Sequence, residues 1–165
     1  MALLHNTNQS LRFLLQLVDR ERPSRGPTAV SSAHRILGTA AIEFFDRRDR
    51  EFIPMLQLPV LHVAAQDAEA FATALRELTS GTRGGFSFRT GAMEELTLQI
   101  GREASGAFVV EVGVDLGAWL KETSGAAHAP GKELALFRFE APMAELVLFA
   151  ASLYEELQKL PPTHP

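Results

Sequence analysis

The side chains in this sequence best suited to acid–base or metal chemistry are five histidines (His5, His34, His62, His128 and His164) and the adjacent carboxylates Glu94 and Glu95. Their spacing supports little of that chemistry. No two histidines lie three or four residues apart and no H-E-x-x-H run occurs, so the chain has no local metal-ligand pattern. His62 falls in an apolar run and reads as a hydrogen-bonded histidine of the core or of a sheet edge. Glu94 and Glu95 precede a strand pattern. Neighbours on a strand point to opposite faces, which is poor geometry for sharing a proton, so the pair reads as a solvated turn. Gly125 to Lys132 resembles a P-loop but has five residues between its glycines where four are required. Glu133 follows the lysine, and no helix pattern follows. There is no G-x-S-x-G elbow. The absence of cysteine removes thiolate ligands, a cysteine nucleophile and a disulfide framework together. No catalytic residue, metal site or cofactor is expected, and the chain reads as a binding protein rather than an enzyme.

The polar positions that remain interesting are those with strand-face placement. Phe86 and Phe88 alternate with Ser87 and Arg89; Leu96, Leu98 and Ile100 alternate with Thr97 and Gln99; Phe108, Val110, Val112 and Val114 alternate with polar or small residues that include Glu111. This pattern predicts an antiparallel meander with one face in the core and one partly wet. Arg89, Glu94, Glu95, Glu111, Asp115 and Trp119 are the candidate partner-binding residues on the wet side. Trp119, the single tryptophan, sits among turn-like residues and reads either as a half-exposed anchor or as a lid on the core.

Elements on either side must position that meander. Residues 10–20 carry both a strand and a helix periodicity, and the strand is favoured by its neighbours. Residues 34–45 read as a strand that ends in a charged turn. Residues 52–64 read as another, interrupted by Pro54 and Pro59 and so placed at an edge or broken there. Asp67 is placed to cap a helix of about 68–80, with Phe71, Leu75 and Leu78 on one stripe and Gly81 as its stop. Residues 133–140 are apolar on both faces and predict a central strand. Pro142 opens an amphipathic helix of about 142–160. The fold class expected is α+β: an antiparallel meander with both helices on one sheet face. Residues 1–9 and 161–165 are expected to be frayed ends. No internal repeat is visible in the sequence.

A chain of 165 residues suits one domain, and at that length folding buries roughly 70% of the unfolded chain's surface. The N-terminus lacks a basic region followed by a long apolar run, and no stretch reaches the roughly 18 apolar residues of a membrane span. A cytoplasmic protein with no membrane partner is the expectation. The net charge is −4. Residues 1–50 hold eight arginines against five acidic residues, whereas residues 51–165 hold eight basic against 15 acidic ones. An acidic surface of that size argues against nucleic acid as a ligand and suits a basic protein partner.

Several segments together resemble one family. Asp67-Ala-Glu-Ala-Phe71 running to Gly81, Phe86, Glu95-Leu-Thr-Leu98, Gly106-Ala-Phe-Val-Val-Glu-Val112, and a final strand and helix with Leu146 and Leu153 look like the WapI-type bacterial immunity family and related uncharacterised bacterial proteins. The resemblance covers about residues 60–158 and is one of hydrophobic spacing. It implies a cytoplasmic antidote that binds a cognate toxin domain, with no catalytic residues. Two other classes stay open beside it: a secretion-type chaperone, marked by a dimer with an apolar groove, and a small-molecule-binding regulator or unrecognised enzyme, marked by a deep pocket with converging polar groups. The sequence does not fix the oligomeric state.

Overall fold

Alternation decides the ambiguous first segment. Phe13, Leu15 and Leu17 share one side of an extended chain, and all three are buried. The computed structural model describes residues 1–20, 35–90, 95–116 and 134–161. Its strands are β1 (Ala2–His5), β2 (Leu11–Arg20), β3 (Arg35–Asp46), β4 (Glu51–Ala64), β5 (Gly85–Arg89), β6 (Leu96–Arg102), β7 (Phe108–Asp115) and β8 (Leu134–Ala141). Helix α1 (Ala65–Thr79) follows β4, and helix α2 (Met143–Lys159) follows β8. The α+β class with antiparallel pairing and two helices is therefore present. The strands divide between two four-stranded sheets, ordered β1-β2-β3-β4 and β5-β6-β7-β8. Among the described residues the order is thus ββββα twice over, a repeat of topology that the sequence does not display.

Local chemistry explains most element boundaries. β4 is an edge strand, as its prolines require. Its pairing with β3 shifts register where Pro54 and Pro59 fall, between Ile42/Glu43 and between Gly38/Ala40. Helix α1 starts at Ala65, three residues before the expected Ala68. Ala64 occupies the cap position without a side-chain bond, and Asp67 sits inside the first turn, where its carboxylate meets the positive end of the helix dipole. The helix ends as a Schellman motif. Gly81 has φ +79°, its N–H donates to the Leu78 carbonyl at 3.1 Å, and the Thr82 N–H donates to the Glu77 carbonyl at 3.0 Å.

Two expectations are corrected. The amino-terminal segment is not frayed: it forms β1, with Ala2 and Leu4 fully buried. Of the other end, Pro161 is exposed and residues 162–165 lie outside the described residues. Strand β8 is an edge strand rather than a central one. Its inward side chains, Phe137, Phe139 and Ala141, face the core, and its second apolar face points to solvent.

One helix crosses between the units and the other bridges them. α2 packs on β1 and β2 of the first sheet, while α1 packs on α2 and β5 and reaches β3 and β4. Aromatic rings follow the same path. Phe13 of β2 lies 6.1 Å from Phe149 of α2, Phe149 lies 6.4 Å from Phe71 of α1, and Phe71 stacks on Phe88 of β5 at 4.3 Å and 19°. Ala40, Ile42 and Leu58 of the first sheet meet Leu96, Val112 and Val114 of the second across a nearly closed seam. One core therefore serves both sheets.

A polar cluster closes one end of the first sheet. The Arg12 guanidinium stacks 3.9 Å from the centre of the Phe52 ring, and its Nε donates to Glu43 at 2.6 Å. His5 Nδ1 lies 2.9 Å from Glu145 in the first turn of α2. At the opposite end, β1 stops pairing at Ala2 with Leu15. Beyond it, the Leu17 N–H donates to Glu156 Oε2 at 2.8 Å, and the other oxygen of that buried carboxylate pairs with the Met1 ammonium. The helix thus satisfies the part of the β2 edge that β1 does not reach.

Phe149→Ala is expected to cost about 3–5 kcal/mol, because the cavity it leaves opens onto both sheets. Chemical denaturation reads this, and a loss below about 1.5 kcal/mol would show that the aromatic chain is not central to stability. Gly38→Ala is expected to cost about 1–3 kcal/mol, since a Cβ there would stand 2.8 Å from the backbone oxygen of Gln16. An unchanged midpoint would mean that the β2–β3 crossing yields freely.

Candidate functional site

The pleat of the second sheet puts Phe88, Leu98, Val112 and Phe137 on the core side and leaves the alternate residues on the other. Register then lays out the outer face in rows. One row runs Arg89, Thr97, Gly113, Leu136; the next runs Ser87, Gln99, Glu111, Arg138. Asp115 stands opposite Leu134, and Val109 opposite Glu140. Each row crosses four strands, about 14 Å at the usual strand spacing.

Of the six residues singled out in the sequence, Arg89, Glu111 and Asp115 lie on this face. Arg89 is exposed, and Glu111 and Asp115 are half-buried. Glu95 does not behave as a solvated turn residue. It is 8% exposed, and its carbonyl accepts the Asp115 N–H at 3.1 Å. Glu94 and Trp119 lie outside the described residues, as does the glycine-rich stretch from Gly125 to Lys132. Next to Glu95, Thr90 closes the β5–β6 hairpin. Its hydroxyl accepts the Leu96 N–H at 2.9 Å, and its own N–H donates to the Leu96 carbonyl at 2.9 Å.

Sequence reasoning missed the most distinctive feature of the face. Leu134 and Leu136, two positions apart on β8, are 49% and 55% exposed. They were legible as apolar, and Leu134 and Leu136 were separable from Phe137 and Phe139 by alternation. A strand apolar on both faces suggested burial on both. Gly113 is the signal that could have located them. Its missing side chain lets Leu134 and Thr97 close over the strand: a Cβ added there would stand 3.3 Å from Leu134 and 2.4 Å from Thr97 Oγ1. The apolar pair is bordered by Glu111, Glu140 and Arg138, and Arg138 holds an exposed ion pair with Glu103 at 3.1 Å. Apolar side chains ringed by charge are the arrangement of a protein-docking patch.

The free edge of β8 is closed at one end, where the Thr7 N–H donates to the Glu140 carbonyl at 2.9 Å. Elsewhere in the molecule His62 lies on edge strand β4, half-buried, with its Nδ1 unpartnered among the described residues. Among the described residues no three His, Asp or Glu side chains converge as a metal site, and no helix is long and apolar enough to cross a membrane. No family model, curated protein or solved structure matches the chain.

Leu136→Ser is expected to change stability by no more than about 0.5 kcal/mol, because the side chain is already in water. A denaturation midpoint showing a loss above about 1.5 kcal/mol would mean that Leu136 belongs to the folding core and not to a surface patch.

Proposed function

We propose that the protein is a non-enzymatic binder that neutralises a cognate bacterial toxin domain in the cytoplasm, and that it docks through the outer face of its second sheet. The observation that carries this reading is the exposure of Leu134 and Leu136 on an edge strand beside Glu111 and Glu140. An apolar centre supplies the area that must leave water, and the charged border supplies orientation. The partner would be basic, in keeping with the 15 acidic residues against eight basic ones in residues 51–165. The resemblance to WapI-type immunity proteins, carried by Asp67 to Gly81, Glu95 to Leu98 and Gly106 to Val112, supports the same class. Arg89, Glu111 and Asp115 would then lie at the interface. Glu94 and Trp119 remain candidates from the sequence, while Glu95 would act by holding the β6–β7 backbone.

The test is affinity purification of the tagged protein from its host, alongside the Leu134→Ser/Leu136→Ser double variant, with mass spectrometry of what is retained. One stoichiometric, basic, toxin-like partner is expected with the unaltered protein, reduced tenfold or more with the variant. Equal recovery by both would remove the docking face from the account. A mixture of unfolded secreted clients would replace the antidote with a secretion-type chaperone.

A further inference from the structure

β1 pairs no further than Ala2 with Leu15, so beyond Leu15 β2 keeps β3 on one side and, among the described residues, has no strand on the other. Glu156 occupies the first part of that open side through Leu17. Three residues further on, Arg20 enters a cleft of about 370 Å³ between α1 and α2. Arg76 and Glu69 line it from α1, Tyr154 and Gln158 from α2, and Leu157 contributes an apolar wall. The volume falls at the lower end of the range for small-ligand sites.

The two arginines are arranged to receive an anion. Arg20 Nε is buried and has no hydrogen-bond partner among the described residues. A buried guanidinium N–H left unmade is costly, so a small movement of the side chain toward an acceptor in the cleft is favoured. The Arg76 guanidinium stands 5.5 Å from the centre of the Tyr154 ring. A cation–ring contact of that kind uses no N–H hydrogen bond and leaves the guanidinium donors for a ligand. Among the described residues neither side chain has a carboxylate within ion-pair distance. Glu69 on the same wall lowers the local charge to +1. That balance fits a monoanion better than a phosphate dianion, and Tyr154 and Leu157 provide surface for an apolar body.

We infer that this cleft is a binding site for a small organic monocarboxylate with a flat apolar body, held by Arg20 and Arg76 and resting against Tyr154. Gln158 adds an amide whose N–H groups can donate to the carboxylate. The site lies between the helices, and its occupancy would stiffen their contact. It is separate from the outer face of the second sheet and does not rest on the docking proposal.

The probes are benzoate and phenylacetate, with benzyl alcohol and inorganic phosphate as comparators, titrated against the whole chain and followed by proton–nitrogen NMR. Saturable binding of the two carboxylates is expected, with a Kd in the millimolar range or tighter and shifts centred on Arg20, Arg76 and Tyr154. Benzyl alcohol should bind at least tenfold more weakly. Arg76→Gln, at an exposed position, should weaken carboxylate binding about tenfold without altering the melting temperature, and Arg76→Lys should recover only part of it because the planar fork is lost. Arg20→Gln should do at least as much if it remains folded. No saturable carboxylate binding, shifts located elsewhere, or binding indifferent to Arg76→Gln would overturn the inference. Phosphate binding as tightly as benzoate would overturn the assignment to a carboxylate.

Discussion

The contact among Phe13, Phe149, Phe71 and Phe88 is the constraint on which the rest of the molecule depends. Each sheet has one face of apolar side chains to cover, and each unit supplies a helix of its own. The exchange is one-sided: α2 covers the first sheet, and α1 lies between the two and touches both. Four rings in sequence hold that exchange, one from each of β2, α2, α1 and β5. Burial of rings this large dominates the energetics of such a core, and ring-to-ring geometry gives it direction as well as strength. Once the rings are fixed, the seam between the sheets and the cleft between the helices follow from the same arrangement.

The edges show what the core leaves over. β1 is short, so among the described residues the far end of β2 has a strand on its β3 side only, and its other side is met by Glu156 and then by the cleft around Arg20. Among the described residues β8 ends the second sheet, and its outward leucines are exposed. Both candidate sites are thus products of strands that stop. Edge positions are where a sheet meets other molecules, and the charges beside Leu136 and the closure at Glu140 limit indiscriminate pairing there.

Much of this was legible in the chain. Alternation placed β5, β6 and β7 and oriented Arg89, Glu111 and Asp115 to one face, because a period of two is a strong signal on a half-buried strand, whereas β2 carried two periods and was read from its neighbours. Pro54 and Pro59 marked β4 as an edge, and Phe71, Leu75 and Leu78 marked the buried stripe of α1. Three features were hidden for physical reasons. Ala65, Gln66 and Asp67 extend α1 backwards directly from the end of β4, with no side-chain cap bond at Ala64 to announce it. Apolarity on both faces of β8 is shared by central strands and by edge strands with a docking face, so pattern cannot separate them. The cleft depends on Arg20, Arg76 and Tyr154, which are more than 50 residues apart in the chain and meet only because α2 crosses to the first sheet.

The docking face is the central functional claim, and hydrogen exchange of the protein with and without its purified partner tests it most directly. The account predicts slowed exchange at the amides of Leu134 to Arg138 and of Val109 to Gly113, with the amides around the cleft between α1 and α2 unchanged. Protection confined to the β3–β4 hairpin or to the helices, with β8 exchanging as in the free protein, would contradict it.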